Sequence, residues 1–318
     1  MKRAFVFPGQ GSQAVGMGKS LAEAFAEARH LFEEIEDALS QHLTRLMFEG
    51  PESDLTLTEN AQPALLAVSM AAIRVLESEG GLSFPRHVAY VAGHSLGEYS
   101  ALAAARALSL ADAARLVKRR GQAMQKAVPV GEGAMAALLG LDVAAARAVA
   151  EEAARSESGA LEVCVVANDN APGQVVISGH ESAVERAIAL APGRGARRAI
   201  RLPVSAPFHS PLMAPAAAVM EEALATVPLR GPLVPLVANV TAQPVRVPVE
   251  IRQRLVEQVT AMVRWRESVV FLQEEEVEEI VEIGSGRVLT GLAKRIAPEL
   301  AARALGTPAE AEALMKEL

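Results

Sequence analysis

One stretch, Val88–Leu102, constrains the fold of this 318-residue chain more than any other. The apolar run Val88–Ala92 predicts a buried strand, the next residues form the G-x-S-x-G element Gly93-His94-Ser95-Leu96-Gly97, and an alanine-rich helical pattern begins at Glu98. Glycines on both sides of a serine allow a sharp turn, which lifts the Ser95 hydroxyl to the top of a sheet and beside a helix N-terminus. A turn with an incidental serine is the alternative, but the strand and helix around the motif favour a nucleophile.

The rest of the chain alternates short apolar strands with helices, which predicts a mostly parallel sheet covered on both faces. Residues 131–202 instead follow a β-α-β-β-α-β order, which is typical of a ferredoxin-like unit. We therefore predict an α/β protein with a large α/β-hydrolase-like domain, residues 1–130 and 203–318, and a small inserted ferredoxin-like domain, residues 131–202. The hydrophobic fraction of 51% is enough for a sizeable core.

Composition excludes several classes of protein. With 31 basic against 38 acidic residues, the net charge of −7 argues against a nucleic-acid-binding surface. The single cysteine, Cys164, excludes an intrachain disulfide and suits a reducing cytosol. No window approaches the roughly 20 apolar residues that a membrane span requires. The start of the chain, Met1–Pro8, lacks the features of a secretory signal, so we expect a cytoplasmic protein with no membrane partner.

Three further features have two interpretations each from the residues alone. The loop Pro8–Gln13 follows a strand and carries two glycines, so it is either a tight turn or a donor of backbone amides to a site. His209 lies in a proline-bounded loop and is either structural or the base that a serine needs. The predicted helix Leu110–Lys126 carries four cationic residues, Arg115, Lys118, Arg119 and Arg120. Most of them are interpreted as a solvated face, whereas Arg120 is either part of that face or a site residue.

Several motifs occur together in a familiar order. They are Phe7-Pro8-Gly9-Gln10-Gly11-Ser12-Gln13, Gly93-His94-Ser95-Leu96-Gly97-Glu98-Tyr99-Ser100-Ala101, Arg120-Gly121, Pro207-Phe208-His209-Ser210 and Gly286-Arg287-Val288-Leu289-Thr290-Gly291-Leu292. With these motifs the chain resembles, essentially from end to end, the malonyl-CoA:acyl-carrier-protein transacylases of type II fatty acid synthesis. A set of motifs at matching relative positions is far more specific than G-x-S-x-G alone.

The resemblance implies roles for individual residues. Ser95 would be the acylated nucleophile, His209 its general base, and the backbone carbonyl of Gln258 the group that orients the histidine ring. The implied oxyanion hole consists of the backbone amides of Gln10 and Leu96. The implied substrate-binding residues are Arg120, which would hold the malonyl carboxylate, and His94, Asn168 and Phe208, which would line the pocket. Arginine suits the carboxylate because its planar fork binds two oxygens at once.

The implied activity is that of an acyltransferase with a ping-pong mechanism. Malonyl-CoA would acylate Ser95, and the phosphopantetheine thiol of holo acyl carrier protein would then collect the malonyl group. We expect no metal, no cofactor and a monomer. Carrier protein is acidic, so a net-acidic enzyme needs a local cationic surface to attract it. The candidates are Arg194, Arg197 and Arg198, with Arg201 nearby; ordinary surface arginines are the alternative.

Competing functions stay open at this point. A serine hydrolase such as a thioesterase shares Ser95 and His209, but it has no need of Arg120 and usually has an acidic partner for its histidine. A carrier-docking module with a decayed site is a second alternative, and a transacylase that loads the carrier subunit of a malonate decarboxylase is a third.

Overall fold

Two β-sheets organise the chain in the computed structural model, which describes residues 1–156, 160–204 and 206–318. The strands are β1 Arg3–Phe7, β2 Tyr90–Gly93, β3 Gly133–Leu139, β4 Cys164–Ala171, β5 Gln174–His180, β6 Arg198–Arg201, β7 Leu236–Val237, β8 Pro244–Val245, β9 Glu279–Ile283 and β10 Ala301–Leu305. The α-helices are α1 Lys19–Ala24, α2 Ala26–Leu39, α3 Leu43–Glu49, α4 Glu52–Thr56, α5 Thr58–Gly80, α6 Phe84–His87, α7 Gly97–Ala104, α8 Leu110–Lys126, α9 Val143–Ala153, α10 Glu181–Leu190, α11 Ala214–Thr226, α12 Pro248–Gln258, α13 Trp265–Glu274, α14 Val288–Ile296 and α15 Pro308–Met315.

The first sheet has the strand order β10-β9-β1-β2-β7-β8 within the described residues. Its strands pair in parallel except for β8, which is antiparallel to β7. Every residue of β1 and β9 is buried, as expected when helices cover both faces of a parallel sheet. This confirms the predicted α/β class with a mostly parallel sheet.

The second sheet is antiparallel, with the order β4-β5-β3-β6 in the described part of the chain. Helices α9 and α10 pack on it, and alanine and valine side chains fill the core between them. The β-α-β-β-α-β connection with this order is the predicted ferredoxin-like arrangement. The domain boundaries at residues 131 and 202 stay a prediction.

Two of the predicted helices differ from those observed. The pattern from Leu21 to Leu39 predicts one helix, but the chain is extended at Phe25 (φ −126°, ψ 125°) between α1 and α2. The pattern from Ile251 to Met262 predicts a helix that in fact ends at Gln258. The reason is that Val263 exchanges backbone hydrogen bonds with β4, donating to Ala167 and accepting from Asp169. A residue that pairs with a strand edge cannot continue a helix, so the end of α12 is set by the small sheet.

The acidic residues Glu274-Glu275-Glu276, with Glu278 and Glu279, predict a solvated helix end, and the structure departs from this only at Glu279, since Glu274, Glu276 and Glu278 are exposed. Helix α13 ends at Glu274, and Glu279 begins β9, where it is only 8% exposed. Its carboxylate lies 2.7 Å from Arg3 Nε and 2.9 Å from Arg303 Nε. Two arginines therefore balance a charge that the strand takes into the core.

Candidate active site

The Ser95 turn joins β2 to α7 and holds the serine in a left-handed conformation, with φ +54°. A Cβ on Gly93 would lie 1.9 Å from the carbonyl carbon of Gly97, and a Cβ on Gly97 would lie 2.2 Å from the carbonyl oxygen of Phe7. Both positions therefore require glycine for close backbone approach. A serine held at positive φ by such packing is typical of a strained nucleophile turn.

His209 lies directly against this serine. Its Nε2 is 2.8 Å from Ser95 Oγ, and its Nδ1 is 2.8 Å from the backbone carbonyl oxygen of Gln258. A carbonyl only accepts, so Nδ1 carries the proton and Nε2 is left to accept the serine proton. Gln258 is the last residue of α12, where carbonyls have no partner within the helix. The early end of α12 thus makes this oxygen available to the histidine.

The buried environment keeps His209 neutral. Its exposed fraction is 4%, and burial, followed by the positive charge of Arg120, lowers the pKa of His209 to about 3. His94 also lowers the pKa of His209, and burial lowers the pKa of His94 itself. A neutral imidazole at neutral pH can accept a proton from Ser95.

Arg120 projects from α8 into the same place and is 1% exposed. Its Nη2 donates to Ser95 Oγ (3.0 Å) and to Gln258 Oε1 (2.9 Å), and its Nη1 donates to Gln62 Oε1 (2.9 Å). The Tyr99 ring lies 5.9 Å from the guanidinium carbon. Among the described residues no carboxylate touches Arg120. A buried cation held only by neutral groups is suited to an anion that arrives with a ligand.

Two backbone amides beside the cavity belong to the predicted oxyanion residues. Gln10 and Leu96 line the cavity in front of Ser95, and Leu96 lies at the N-terminus of α7, where the helix dipole is positive. Neither amide donates a hydrogen bond to another described residue. The amide of Ser95 is different, because it donates to Asn239 Oδ1 at 2.8 Å. The two predicted amides are therefore available as oxyanion donors and that of Ser95 is not.

The cavity has a volume of about 290 Å³ and lies where the two sheets meet. It brings together the predicted residues Gln10, His94, Ser95, Leu96, Arg120, Asn168, Phe208 and His209. His94 is turned to one side, with Nε2 2.8 Å from Asn170 Oδ1 and its ring 5.7 Å from that of Trp265. Asn168 and Phe208 are 6% and 8% exposed, and they form part of the wall.

The predicted docking arginines lie outside this cavity, at the start of β6: Arg194 ends a 3-10 turn, Arg197 precedes the strand and Arg198 is its first residue. Arg194 pairs with Glu152, whereas Arg197 and Arg198 are exposed and form no ion pair with any residue in the described ranges. The nearby Arg201 pairs with Glu181 and Glu185. Of this cluster, Arg197 and Arg198 offer the unpaired positive charge.

Several residues that hold the site had no predicted role, among them Gln62, Glu98, Tyr99 and Asn239. A signal existed for Glu98, which is the only charged residue of the fully buried helix α7. Asn239 and Gln62 reach the site from 144 residues beyond Ser95 and 58 residues before Arg120, and no local pattern identifies contacts at such separations.

The described residues offer neither a metal site nor a membrane-spanning helix. No group of three or more His, Cys, Asp or Glu side chains capable of holding a metal ion occurs in residues 1–156, 160–204 and 206–318. Within these ranges, no helix combines the length and the apolar character that a membrane span demands.

Known proteins are similar to this chain in sequence and fold over nearly their whole length. The model of the acyl transferase domain matches residues 4–297. The malonyl CoA-acyl carrier protein transacylase of Bacillus subtilis (strain 168) is 46% identical over 317 residues, covering 100% of this chain and 97% of that protein. The crystal structure of the acyl-carrier-protein-S-malonyltransferase from Bartonella henselae has a TM-score of 0.95 at 55% identity and covers 100% and 99% of the two chains. A malonyl-transacylase in complex with its type II PKS acyl-carrier protein has a TM-score of 0.94 at 42% identity, over 100% of both chains.

Proposed function

Because the chain belongs to the acyl transferase family and is therefore an acyltransferase, we propose that it moves a malonyl group from malonyl-CoA to acyl carrier protein through an ester on Ser95. The observation that carries this proposal is the position of Arg120. A buried guanidinium without a contacting carboxylate lies 3.0 Å from the Ser95 hydroxyl. Such a cation fits an acyl thioester whose other end is a free carboxylate.

In the first half-reaction His209 Nε2 takes the proton of Ser95 Oγ as the oxygen attacks the thioester carbonyl carbon. The negative charge that develops on the carbonyl oxygen is stabilised by the amides of Gln10 and Leu96. The intermediate collapses, the C–S bond breaks, and the CoA sulfur leaves with the proton held on His209. The product is a malonyl ester of Ser95.

In the second half-reaction the phosphopantetheine thiol of the carrier gives its proton to His209 and attacks the ester carbonyl. Breaking the bond to Ser95 Oγ returns the proton to the serine. Arg120 holds the malonyl carboxylate throughout and so keeps the acyl carbonyl positioned for a thiol. This assignment of Ser95, His209, Gln10, Leu96 and Arg120 makes the mechanism ping-pong.

Detection of the acyl-enzyme tests the proposal. Intact mass spectrometry after brief exposure to malonyl-CoA should show one malonyl adduct, and peptide mapping should locate it on Ser95. Adding holo carrier protein should discharge the adduct into malonyl-carrier. Rapid release of free malonate without malonyl-carrier would instead indicate a hydrolase, and absence of any adduct would indicate a carrier-docking protein without activity.

The charge of Arg120 predicts a substrate-dependent pH profile. A carboxylate bound to Arg120 offsets the charge that lowers the pKa of His209, so the pKa should rise when malonyl-CoA binds and not when acetyl-CoA binds. A base with a higher pKa becomes protonated, and fails, at a higher pH. The ordinary pKa of histidine is 6.5, and that of His209 is lowered to about 3. As the pH is lowered between these two values, the rate of single-turnover acylation at saturation should therefore fall at a higher pH with malonyl-CoA than with acetyl-CoA. Superimposable acid limbs for the two substrates would contradict this coupling.

We further propose that Arg197 and Arg198 help to dock the acidic carrier. Reversing both charges, in Arg197→Glu/Arg198→Glu, should raise the KM for holo carrier protein by about tenfold, because rim charges steer association. The KM for malonyl-CoA should be unchanged. The matched control is Arg147→Glu, an exposed arginine on α9 of the same small unit that forms no ion pair with a described residue. Equal effects on both substrates, or an equal effect of the control, would refute the docking role.

A further inference from the structure

Glu98 is a buried carboxylate directly beneath the nucleophile turn. It is 1% exposed, it lies in the first turn of α7, and it does not line the cavity. Its Oε1 accepts a hydrogen bond from the backbone amide of Asn239 (2.6 Å), and its Oε2 accepts one from Gln258 Nε2. Glu98 therefore touches two residues that hold the site, but it lies out of reach of a substrate.

The side chain of Gln258 connects Glu98 to Arg120. Its Nε2 donates to Glu98 and, at 2.9 Å, to the carbonyl oxygen of Ser95, while its Oε1 accepts from Arg120 Nη2 at 2.9 Å. An amide can be turned either way, so something has to fix which end faces the guanidinium. The ionised carboxylate of Glu98 and the carbonyl oxygen of Ser95 both only accept, so together they hold the NH₂ group of Gln258 on their side and leave its oxygen for Arg120.

The same carboxylate supports the serine. Asn239, whose backbone amide donates to Glu98, holds the Ser95 amide through Oδ1 and donates from Nδ2 to the carbonyl oxygen of Gly93 at 2.6 Å. Both ends of the nucleophile turn thus depend on a residue that Glu98 fixes. A buried polar network becomes unfavourable when one of its members loses its partner, so the loss of any single donor or acceptor here should disturb the site.

The charge of Glu98 also acts on Arg120 from a distance. Burial raises the pKa of Glu98 to about 8, while the hydrogen bonds from Asn239 and Gln258 and the charge of Arg120 lower it. The oxygens of Glu98 both accept hydrogen bonds from N–H groups of the described residues, which is the pattern of the ionised form, and this form predominates above that raised pKa. One amide separates the two charges, so Glu98 offsets the buried cation without occupying the positions that a substrate carboxylate needs.

We propose that Glu98 is a positioning residue that sets the preference for malonyl over acetyl groups, because it orients the Gln258 amide so that Arg120 meets an oxygen. The inference rests on the proposed role of Arg120 in binding the malonyl carboxylate. In Glu98→Gln the backbone amide of Asn239 takes the one remaining side-chain oxygen, so an NH₂ group faces Gln258 Nε2. These two donors repel, which favours the reversed amide of Gln258 with its NH₂ group toward the guanidinium. Two facing donors repel, and Arg120 moves away from its working position.

The test compares two buried glutamates. Glu98→Gln should lower the ratio of kcat/KM for malonyl-CoA to kcat/KM for acetyl-CoA by about tenfold or more, since a misdirected buried hydrogen bond to a charged group has a cost of that order. The control is Glu282→Gln, at a glutamate that is 0% exposed and accepts from the amides of Leu289 and Thr290 at the start of α14. Glu282→Gln should lower the melting temperature and leave the ratio within about twofold, because it acts on folding alone.

Two more variants separate position from stability. Glu98→Asp keeps an acceptor-only group, so it should preserve most of the selectivity even where it lowers the melting temperature. Gln258→Met, for use if Glu98→Gln does not fold, keeps the backbone carbonyl for His209 and should lose the selectivity. A wild-type enzyme without a malonyl adduct would overturn the proposed function itself. A malonyl-selective wild type whose ratio survives both Glu98→Gln and Gln258→Met would overturn only the role of Glu98.

Discussion

Replacing Ser95 with alanine is expected to abolish malonyl transfer, with kcat lower by about four to six orders of magnitude, as for other serine nucleophiles. The reason is that Ser95 Oγ is the atom that His209 activates, at 2.8 Å, and that Arg120 contacts, at 3.0 Å. With a methyl group at this position no ester can form. Binding of malonyl-CoA should persist, since Arg120 and the amides of Gln10 and Leu96 remain.

The measurement is transfer of radiolabelled malonyl to holo carrier, together with intact mass after exposure to malonyl-CoA. Ser100→Ala is the matched control, because Ser100 is a fully buried serine on the same helix whose hydroxyl has no partner among the described residues. It should retain activity within a few-fold. Alanine and serine both carry a Cβ, so the left-handed backbone at residue 95 is strained equally in the two proteins. A malonyl adduct on the Ser95→Ala protein would show that the nucleophile lies elsewhere.

The parts of this molecule that local chemistry determines could be predicted from the residues. A strand, a glycine-flanked serine and a helix define the Ser95 turn within fifteen consecutive positions, from Val88 to Leu102. The periodicity of α8 gave its bounds, Leu110–Lys126, as observed. Alternation of apolar strands with helices likewise predicted the sheet class, because the burial of both faces is written into each strand.

The partners of Ser95 could not be found in this way. His209 lies 114 residues further along the chain, and its own loop left two interpretations open between which only the family resemblance decided. The resemblance implied no role for Asn239, or for Glu98 although a quoted motif contains it, because their importance comes from hydrogen bonds across the fold. The end of α12 was also missed, since it depends on pairing between Val263 and β4 and not on helix propensity. Long-range geometry, not composition, determines these features.

The histidine partner bears on the choice between transfer and hydrolysis. Among the described residues His209 Nδ1 meets the backbone carbonyl of Gln258, where a serine hydrolase usually has a carboxylate. A neutral acceptor stabilises the imidazolium less, so it leaves a weaker base. Together with the buried Arg120, this arrangement favours transfer of a carboxylate-bearing acyl group to a thiol over its hydrolysis by water.

Removing the guanidinium of Arg120 should weaken the preference of the enzyme for malonyl-CoA over acetyl-CoA. In Arg120→Ala, kcat/KM for malonyl-CoA should fall by about 10²–10³, the usual loss when one partner of a buried charge pair is truncated. Acetyl-CoA carries no carboxylate, so its kcat/KM should change by less than about tenfold. Loss of the positive charge also removes one cause of the lowered His209 pKa, which raises the basicity of His209 and favours the neutral substrate. The relative use of acetyl-CoA should therefore improve.

Competition between malonyl-CoA and acetyl-CoA, read by intact mass of the acylated enzyme, measures this change directly. Arg119→Ala serves as the control, because Arg119 is adjacent on α8 but half exposed and 3.8 Å from Glu222. It should leave the competition unchanged. Arg120→Lys should fall between the wild type and Arg120→Ala, since an ammonium keeps the charge but lacks the planar fork that binds both carboxylate oxygens. Unaltered malonyl-CoA kinetics in Arg120→Ala would mean that another group binds the carboxylate. The contacts of Arg120 with Gln62 and Gln258 are the same for both substrates, so they cannot account for a difference between malonyl-CoA and acetyl-CoA.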